Sequence, residues 1–421
     1  MAGRQKNIQY LCTIETLPFK TQLQMDFISR RVASLAASQT LAMSQKSAEL
    51  RATGVDVINL SVGEPDFNTP DHIKEAACRA VRDNYSFYSP VPGFMSLREA
   101  ICRKLLSENG VRHTPVDIVV SNGAKQALCN VILATVNPGD EVIIPSPAWV
   151  SYTEMVKLAE GRVVAVPSGI ENDFKITPAM LEGAITPRTR MLLLCTPSNP
   201  TGSVYSGEEL AALVAVVARH PGILVVADEI YEHINYTGEF TSVGTFAEIA
   251  DRTVLINGVS KAYAMTGWRI GYCAAPTAIA KAVSKLQGQY TSGASSIAQK
   301  AAEAAYDGPQ DCVREMCEAF RRRRDLVTDL AAQIPGFRVN RPSGAFYLFP
   351  EVSALLGKRA GEKIIATSAD LAMYFLEQGH VATVDGAAFG APGYIRLSYA
   401  TSDDNLRTAM GRLADAVAAL R

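Results

Sequence analysis

Residues 223–231 read ILVVADEIY, and this stretch decides the fold. Ile223 to Ala227 is apolar at every position, the pattern of a strand covered on both faces, as in parallel sheets flanked by helices. Charge arrives at its carboxyl end, with Asp228 and Glu229, and Tyr231 follows. Outward from it, from about residue 110 to 275, short apolar runs alternate with longer helical stretches. Strands are expected at Val116–Val120, Glu141–Ile144, Gly161–Val166 and Met191–Cys195 before it, and at Arg252–Ile256 and Arg269–Ala274 after it. A helix is expected over about Gly123–Thr135. Such alternation indicates an α/β domain with a mostly parallel sheet and right-handed crossovers.

The C-terminal part reads differently. A long charged helix (about Pro309–Ile334) precedes short strands near Phe337–Val339, Ala345–Phe349 and Tyr394–Ser398, and helices cover about Ser368–Gln378 and Ser402–Leu420. That is an α+β pattern, so residues 309–421 are expected to form a smaller domain beside a large domain at 66–308. Residues 26–65 are expected to join the smaller one. Residues 1–25 read as an extension without a catalytic part, Met25 resembling a natural start. The run Arg321–Arg324 lies on the long helix, where successive side chains point about 100° apart, and is expected to be a solvated, ion-paired face.

Composition narrows the function classes. The 421 residues are 48% hydrophobic and 20% charged, with a formal net charge of −1, so no basic field points to nucleic acid or an anionic membrane. No apolar run approaches the roughly 20 residues that span a bilayer. The N-terminus has no apolar core of signal-peptide length. Eight cysteines are scattered without a C-x-x-C pair, which points to free thiols in a reducing compartment and a cytoplasmic protein. The histidines (His72, His113, His220, His233 and His380) show no ligand spacing, so no metal is expected.

Four stretches carry chemistry. In SKAYAMTGWRIG (260–271), Lys261 lies in a tight turn between apolar strands. A lysine packed there has a lowered pKa and is a usable amine nucleophile for a carbonyl. Asp228 lies where open α/β sheets bind ligands and can pair with a protonated pyridine nitrogen; taken alone it reads first as a helix N-cap. Ser121-Asn-Gly-Ala-Lys-Gln126 is a strand–glycine–helix turn suited to phosphate, without the Walker spacing. Ser198-Asn-Pro-Thr-Gly202 follows a strand; it is either a simple turn or a site loop, and Asn199-Pro200 is a candidate cis peptide.

Together with LSVGEPDFNTP (60–70), GDEVIIPSPAWVSYTEM (139–155), GAFYLF (344–349) and IRLSYATS (395–402), these stretches resemble the class I aminotransferases of pyridoxal-phosphate (PLP) fold type I, in order over nearly the whole chain. The resemblance implies an α/β large domain whose mostly parallel mixed sheet is flanked by helices, plus a smaller α+β domain. It implies that Lys261 holds the cofactor as a Schiff base and then moves the substrate proton. Asp228 would pair with the pyridinium nitrogen, and Tyr231 and Asn199 with the ring oxygen. Trp149 would stack on the ring, with Ser260 nearby. Arg269 would grip the phosphate beside the N–H groups of Ala124 and Lys125. Tyr88 would reach the phosphate of a neighbouring subunit, making the active unit a homodimer with shared sites. Gly63, Trp149, Asn199 and Arg396 would bind substrate, Arg396 forking onto the α-carboxylate.

The animal and enteric branch supplies an Arg for an acidic substrate from its partner subunit, and none stands in KLQGQYTSGASS (285–296). The chain instead resembles the bacterial and plastid aspartate/prephenate branch, where Lys125 would meet the distal carboxylate and Thr40 accompanies it. The expected activity is therefore ping-pong transamination of aspartate with 2-oxoglutarate. The alternatives are glutamate/aspartate–prephenate activity, as main or second function, and another class I aminotransferase. Three departures from the family pattern, at Ala36-Ala37, Gly258 and Ala148, leave the catalytic set untouched. A PLP-sensing transcription regulator would need a DNA-binding domain that residues 1–29 are too short to form.

Overall fold

Strands form where the sequence places runs of β-branched and apolar residues, and in the computed structural model, which describes residues 27–37 and 39–421, they gather into one large sheet. The expected extension, 1–25, lies outside the described residues. The sheet comprises β1 (Ile118–Ser121), β2 (Glu141–Ser146), β3 (Arg162–Pro167), β4 (Thr189–Cys195), β5 (Leu224–Asp228), β6 (Thr253–Gly258) and β7 (Gly271–Ala274). Their order is β1-β7-β6-β5-β4-β2-β3, and only β7 runs antiparallel to its neighbours, so the sheet is mixed and mostly parallel.

The apolar continuity of the central strands has a direct cause. Leu192, Leu194, Val225, Ala227 and Leu255 pack into the core on one face. Met191, Leu193, Leu224, Val226, Val254 and Ile256 pack into the core on the other. Side chains alternate between faces along a strand, so a strand covered on both sides must be apolar throughout. The first polar group on β5 is Asp228, in register with Cys195 and Ile256 at the carboxyl edge.

A third core lies beneath a smaller antiparallel sheet of β8 (Tyr347–Leu348), β9 (Val384–Asp385) and β10 (Ile395–Ser398), in the order β9-β10-β8. It is packed by the helices Asp311–Ala331, Ser368–Glu377 and Asp403–Ala418. Ile58–Asn59 pairs in parallel with Val381–Ala382, which draws residues 58–60 into this region. The helix Arg30–Ala33 faces the other way, its following residue Ala36 donating its N–H to Glu154 on the helix Val150–Leu158 (2.8 Å).

Two expectations need correction. Phe337–Val339 is not a strand; it contributes one isolated bridge, Arg338 to Glu351. Pro335 and Pro342 bracket it and remove the N–H groups a longer ladder would use. The arginine run is ion-paired but only half solvated, since Arg323 and Arg324 are 8% and 9% exposed. Arg323 forks onto Asp66 (2.7 and 3.0 Å) between the rings of Phe67 and Phe320, and Arg324 donates to Pro342 O (2.6 Å). Among the described residues, no helix is long and apolar enough to cross a membrane.

Candidate active site

The carboxyl ends of β4, β5 and β6 face a cavity of about 420 Å³ closed on its far side by β8 and β10. Lys261, Ser260, Asp228, Tyr231, Asn199, Trp149, Ala124, Lys125, Arg269, Gly63, Arg396 and Thr40 all line it. Tyr88 does not: it is 99% exposed on a separate loop.

Lys261 follows β6, and its Nζ donates to Gly63 O (2.6 Å), 5.7 Å from the Tyr231 ring centre. Burial lowers its pKa to about 8; Glu64 pulls it up, Arg396 and Arg269 push it down, and Asp228 pulls it up again. The amine therefore keeps an appreciable uncharged fraction near neutrality, the form that attacks a carbonyl or takes a proton. Asp228 shows no ion pair within 4.0 Å among the described residues. Tyr152 donates its O–H to one carboxylate oxygen (2.7 Å) and the Ile230 N–H donates to the other (3.3 Å). Burial raises its pKa to about 6, against these two hydrogen bonds and the Lys261 charge. A buried carboxylate solvated only by dipoles is suited to receive a cationic ring nitrogen.

One end of the cavity is built from close backbone packing and is suited to an anion. The helix Ala124–Thr135 begins beside the cavity, and no side chain caps its N-terminus. Its preceding residue, Gly123, has φ +83°, and a Cβ there would meet Arg269 Nη2 at 2.4 Å. A Cβ on Gly271 would meet the Ala124 N at 2.2 Å, and one on Gly258 would meet the Gly271 Cα at 2.7 Å. Only glycines let these strand ends bring the uncapped N–H groups and the guanidinium together. Arg269 itself holds φ +58°, a left-handed conformation that is costly for a non-glycine residue, and donates to Thr266 O (2.9 Å) and Asn122 O (3.2 Å).

At the opposite end Arg396, on β10, is 2% exposed, the deepest charge of the cavity. Its guanidinium donates to Asn199 Oδ1 (3.0 Å) and Ser61 O (2.7 Å), while Nε has no partner. The rings of Tyr347 and Phe389 lie 4.6 and 4.9 Å from its centre. Burial lowers its pKa, which neighbouring Tyr347 and Tyr231 oppose. Lys125, on the helix Ala124–Thr135, lines the same cavity and rests over Trp149, 4.9 Å from the ring centre. Of the three X-Pro bonds that are cis among the described residues, one is Asn199–Pro200.

Sequence reasoning missed Tyr152, Tyr347, Cys195, Glu64 and Thr266, which also line the cavity. Tyr152 had a readable signal, since it stands three residues after Trp149 and so shares its helix face. Tyr347 had none, being one ring in the aromatic run 346–349.

Comparison with known proteins agrees with this geometry. The family profile for aminotransferase class I and II matches residues 55–413. The chain is similar to an aspartate/prephenate aminotransferase of Nitrosomonas europaea, 49% identical over 92% of this chain and 98% of the relative. It is likewise similar to an aspartate aminotransferase of Geobacillus stearothermophilus, 48% identical over 92% and 98%. Among solved structures it is similar to the aspartate aminotransferase of Rhizobium meliloti (TM-score 0.91, 43% identity, 94% of this chain and 99% of that one). Another is the Thermus thermophilus aspartate aminotransferase with maleate (TM-score 0.87, 43% identity, 93% and 100%).

Proposed function

The chain belongs to the aminotransferase class I and II family, and from that premise we infer the reaction. The protein is a PLP-dependent aminotransferase of PLP fold type I that moves the amino group of L-aspartate to 2-oxoglutarate, giving oxaloacetate and L-glutamate in a ping-pong cycle. Prephenate is the alternative acceptor, named in the relatives from Nitrosomonas europaea and Petunia hybrida.

The residues present fit the cofactor: the buried amine of Lys261, the carboxylate of Asp228 held by two neutral donors, and a glycine-packed anion cradle share a cavity. When bound, PLP supplies an aldehyde carbon for the amino nitrogen and a pyridinium ring that takes up the electrons of the broken Cα–H bond. Asp228 holds the proton on the ring nitrogen. Arg269 and the N–H groups of Ala124 and Lys125 hold the phosphate. Tyr231 and Asn199 address the ring oxygen, and Trp149 covers one ring face, with Ser260 beside the lysine. Arg396 forks onto the substrate α-carboxylate over Gly63. Lys261 Nζ would take the proton from the substrate Cα and return it across the amino nitrogen, at the carbon that the cofactor contributes.

The observation that carries aspartate is that, beside Lys261 and Arg269, two further cations line the cavity with Thr40: Arg396 from β10 and Lys125 from the helix Ala124–Thr135. A dicarboxylic substrate satisfies both; an aromatic one satisfies only the first. Steady-state assays with aspartate, glutamate, arogenate, alanine and phenylalanine as donors test it. Lys125→Ala should lower kcat/KM for aspartate about 10- to 100-fold and leave phenylalanine within about threefold. Equal losses on both would remove Lys125 from this role.

We also propose a homodimer with shared sites. Phe87 and Tyr88 are 81% and 99% exposed on a loop anchored by Ser89 and Ser296, which favours a partner surface over a mobile tip. A second opening of about 620 Å³ exposes Arg269 from outside, where a neighbour's tyrosine would enter. The division into domains near residues 65 and 308 is a further proposal, supported by the separate cores. Free cysteines throughout the described residues support a cytoplasmic location.

A further inference from the structure

Tyr347 touches three groups that the reaction uses separately. Its hydroxyl lies 2.7 Å from the Tyr231 hydroxyl. Its ring lies 4.6 Å from the centre of the Arg396 guanidinium, opposite Phe389. A Cβ at residue 63 would meet its oxygen at 2.5 Å, so Gly63 is the residue that lets Tyr347 reach Tyr231. Tyr347 enters from the smaller sheet, on β8, whereas Tyr231 follows the large-sheet strand β5. The charged and titratable groups facing the pair are Arg396, Lys261 and Cys195.

We propose that Tyr347 is a positioning residue that couples the carboxylate fork of Arg396 to the ring-oxygen contact of Tyr231. The proposal rests on the reading that Tyr231 donates to the cofactor's ring oxygen. One hydrogen bond joins the two hydroxyls, so once Tyr231 donates to the ring, Tyr347 must donate to Tyr231. That second bond polarises Tyr231 and strengthens its donation. The aromatic face, meanwhile, fixes the plane of Arg396 for bidentate capture.

The holoenzyme reconstituted with PLP separates the two roles. Donation to an anionic ring oxygen stabilises the deprotonated form, so weakening it raises the pH midpoint of the bound cofactor's visible absorption. Tyr347→Phe should raise that midpoint by about 0.3–0.8 pH units and lower kcat several-fold. Its KM for aspartate should stay within about twofold, because the ring remains. Tyr231→Phe should shift the midpoint further, and the double variant should match Tyr231→Phe alone. Tyr347→Leu, which removes the ring, should raise KM for aspartate and 2-oxoglutarate about tenfold or more.

An unchanged midpoint in Tyr347→Phe, beside a wild type that shows the titrating band, would overturn the coupling and leave the cofactor reading intact. So would a Tyr347→Phe shift that persists in full on the Tyr231→Phe background. A wild type with no such band would overturn both.

Discussion

Asp228 and Glu232 stand on one short segment and are about equally removed from water, 3% and 6% exposed, yet their surroundings are opposite. Glu232 points away from the cavity and is fully met: Lys104 donates to one oxygen, Asn257 to the same oxygen (2.7 Å) and Asn109 to the other (2.6 Å). Burial pushes its pKa up, but the charges of Lys104 and His233 and the hydrogen bonds outweigh that and hold it at about 2. Asp228 faces the cavity, meets two dipoles and no cation, and is raised by burial to about 6. One carboxylate is neutralised to hold the segment; the other is kept short of positive charge. A buried charge without a counter-ion is costly, and such groups concentrate at functional sites. Arg396 mirrors Asp228, a buried cation held by an amide oxygen, a carbonyl and two rings.

The largest expected effect falls on the paired carboxylate. Glu232→Gln leaves the buried Lys104 ammonium with Asn109 Oδ1 (2.7 Å) and the more distant Glu108 carboxylate (3.6 Å), and should destabilise the protein by about 3–5 kcal/mol, read by urea unfolding. A loss under about 1 kcal/mol would mean the pair is not structural. Asp228→Asn should do the reverse: kcat falls about 10²–10³-fold while stability holds or rises. A variant that keeps its rate would erase the contrast.

The same contrast has a pH signature in the cofactor-free protein. Asp228 has a native pKa of about 6, above its ordinary 3.8, so between these values the native state binds more protons than the unfolded one. Stability from this group is full below about pH 4 and is lost as pH rises through 6, by at most about 3 kcal/mol. Glu232, depressed from 4.5 to about 2, stabilises above pH 4.5 and loses that contribution as pH falls toward 2. Unfolding midpoints across this range should lose the upper slope in Asp228→Asn and the lower one in Glu232→Gln. The smallest effect is Tyr152→Phe, which removes one donor to Asp228 and should lower kcat about tenfold with little change in KM. No change would make Tyr152 packing alone.

These contrasts also mark what a linear reading can reach. The buried strand before Asp228 and the tight turn around Lys261 announce themselves because their signals are local: unbroken apolarity, and a charge where the chain leaves the sheet. The burial of Arg323 and Arg324 did not, because Asp66, Asp403 and Pro342, which meet them, lie elsewhere in the chain, and only Asp325 beside Arg324 is local. Glu232 and Asp228 look alike in DEIYE. What separates them is which side of the segment each faces and that Lys104 arrives from the helix Met95–Asn109.

The chemistry proposed for this cavity starts at the amine of Lys261, which condenses with an aldehyde. Borohydride reduction of the protein in the presence of PLP, followed by peptide mapping, reads that bond directly. One phosphopyridoxyl group per chain is expected, on Lys261, and none on Lys261→Ala. A label on a different lysine, or no label on the wild-type protein, would contradict it.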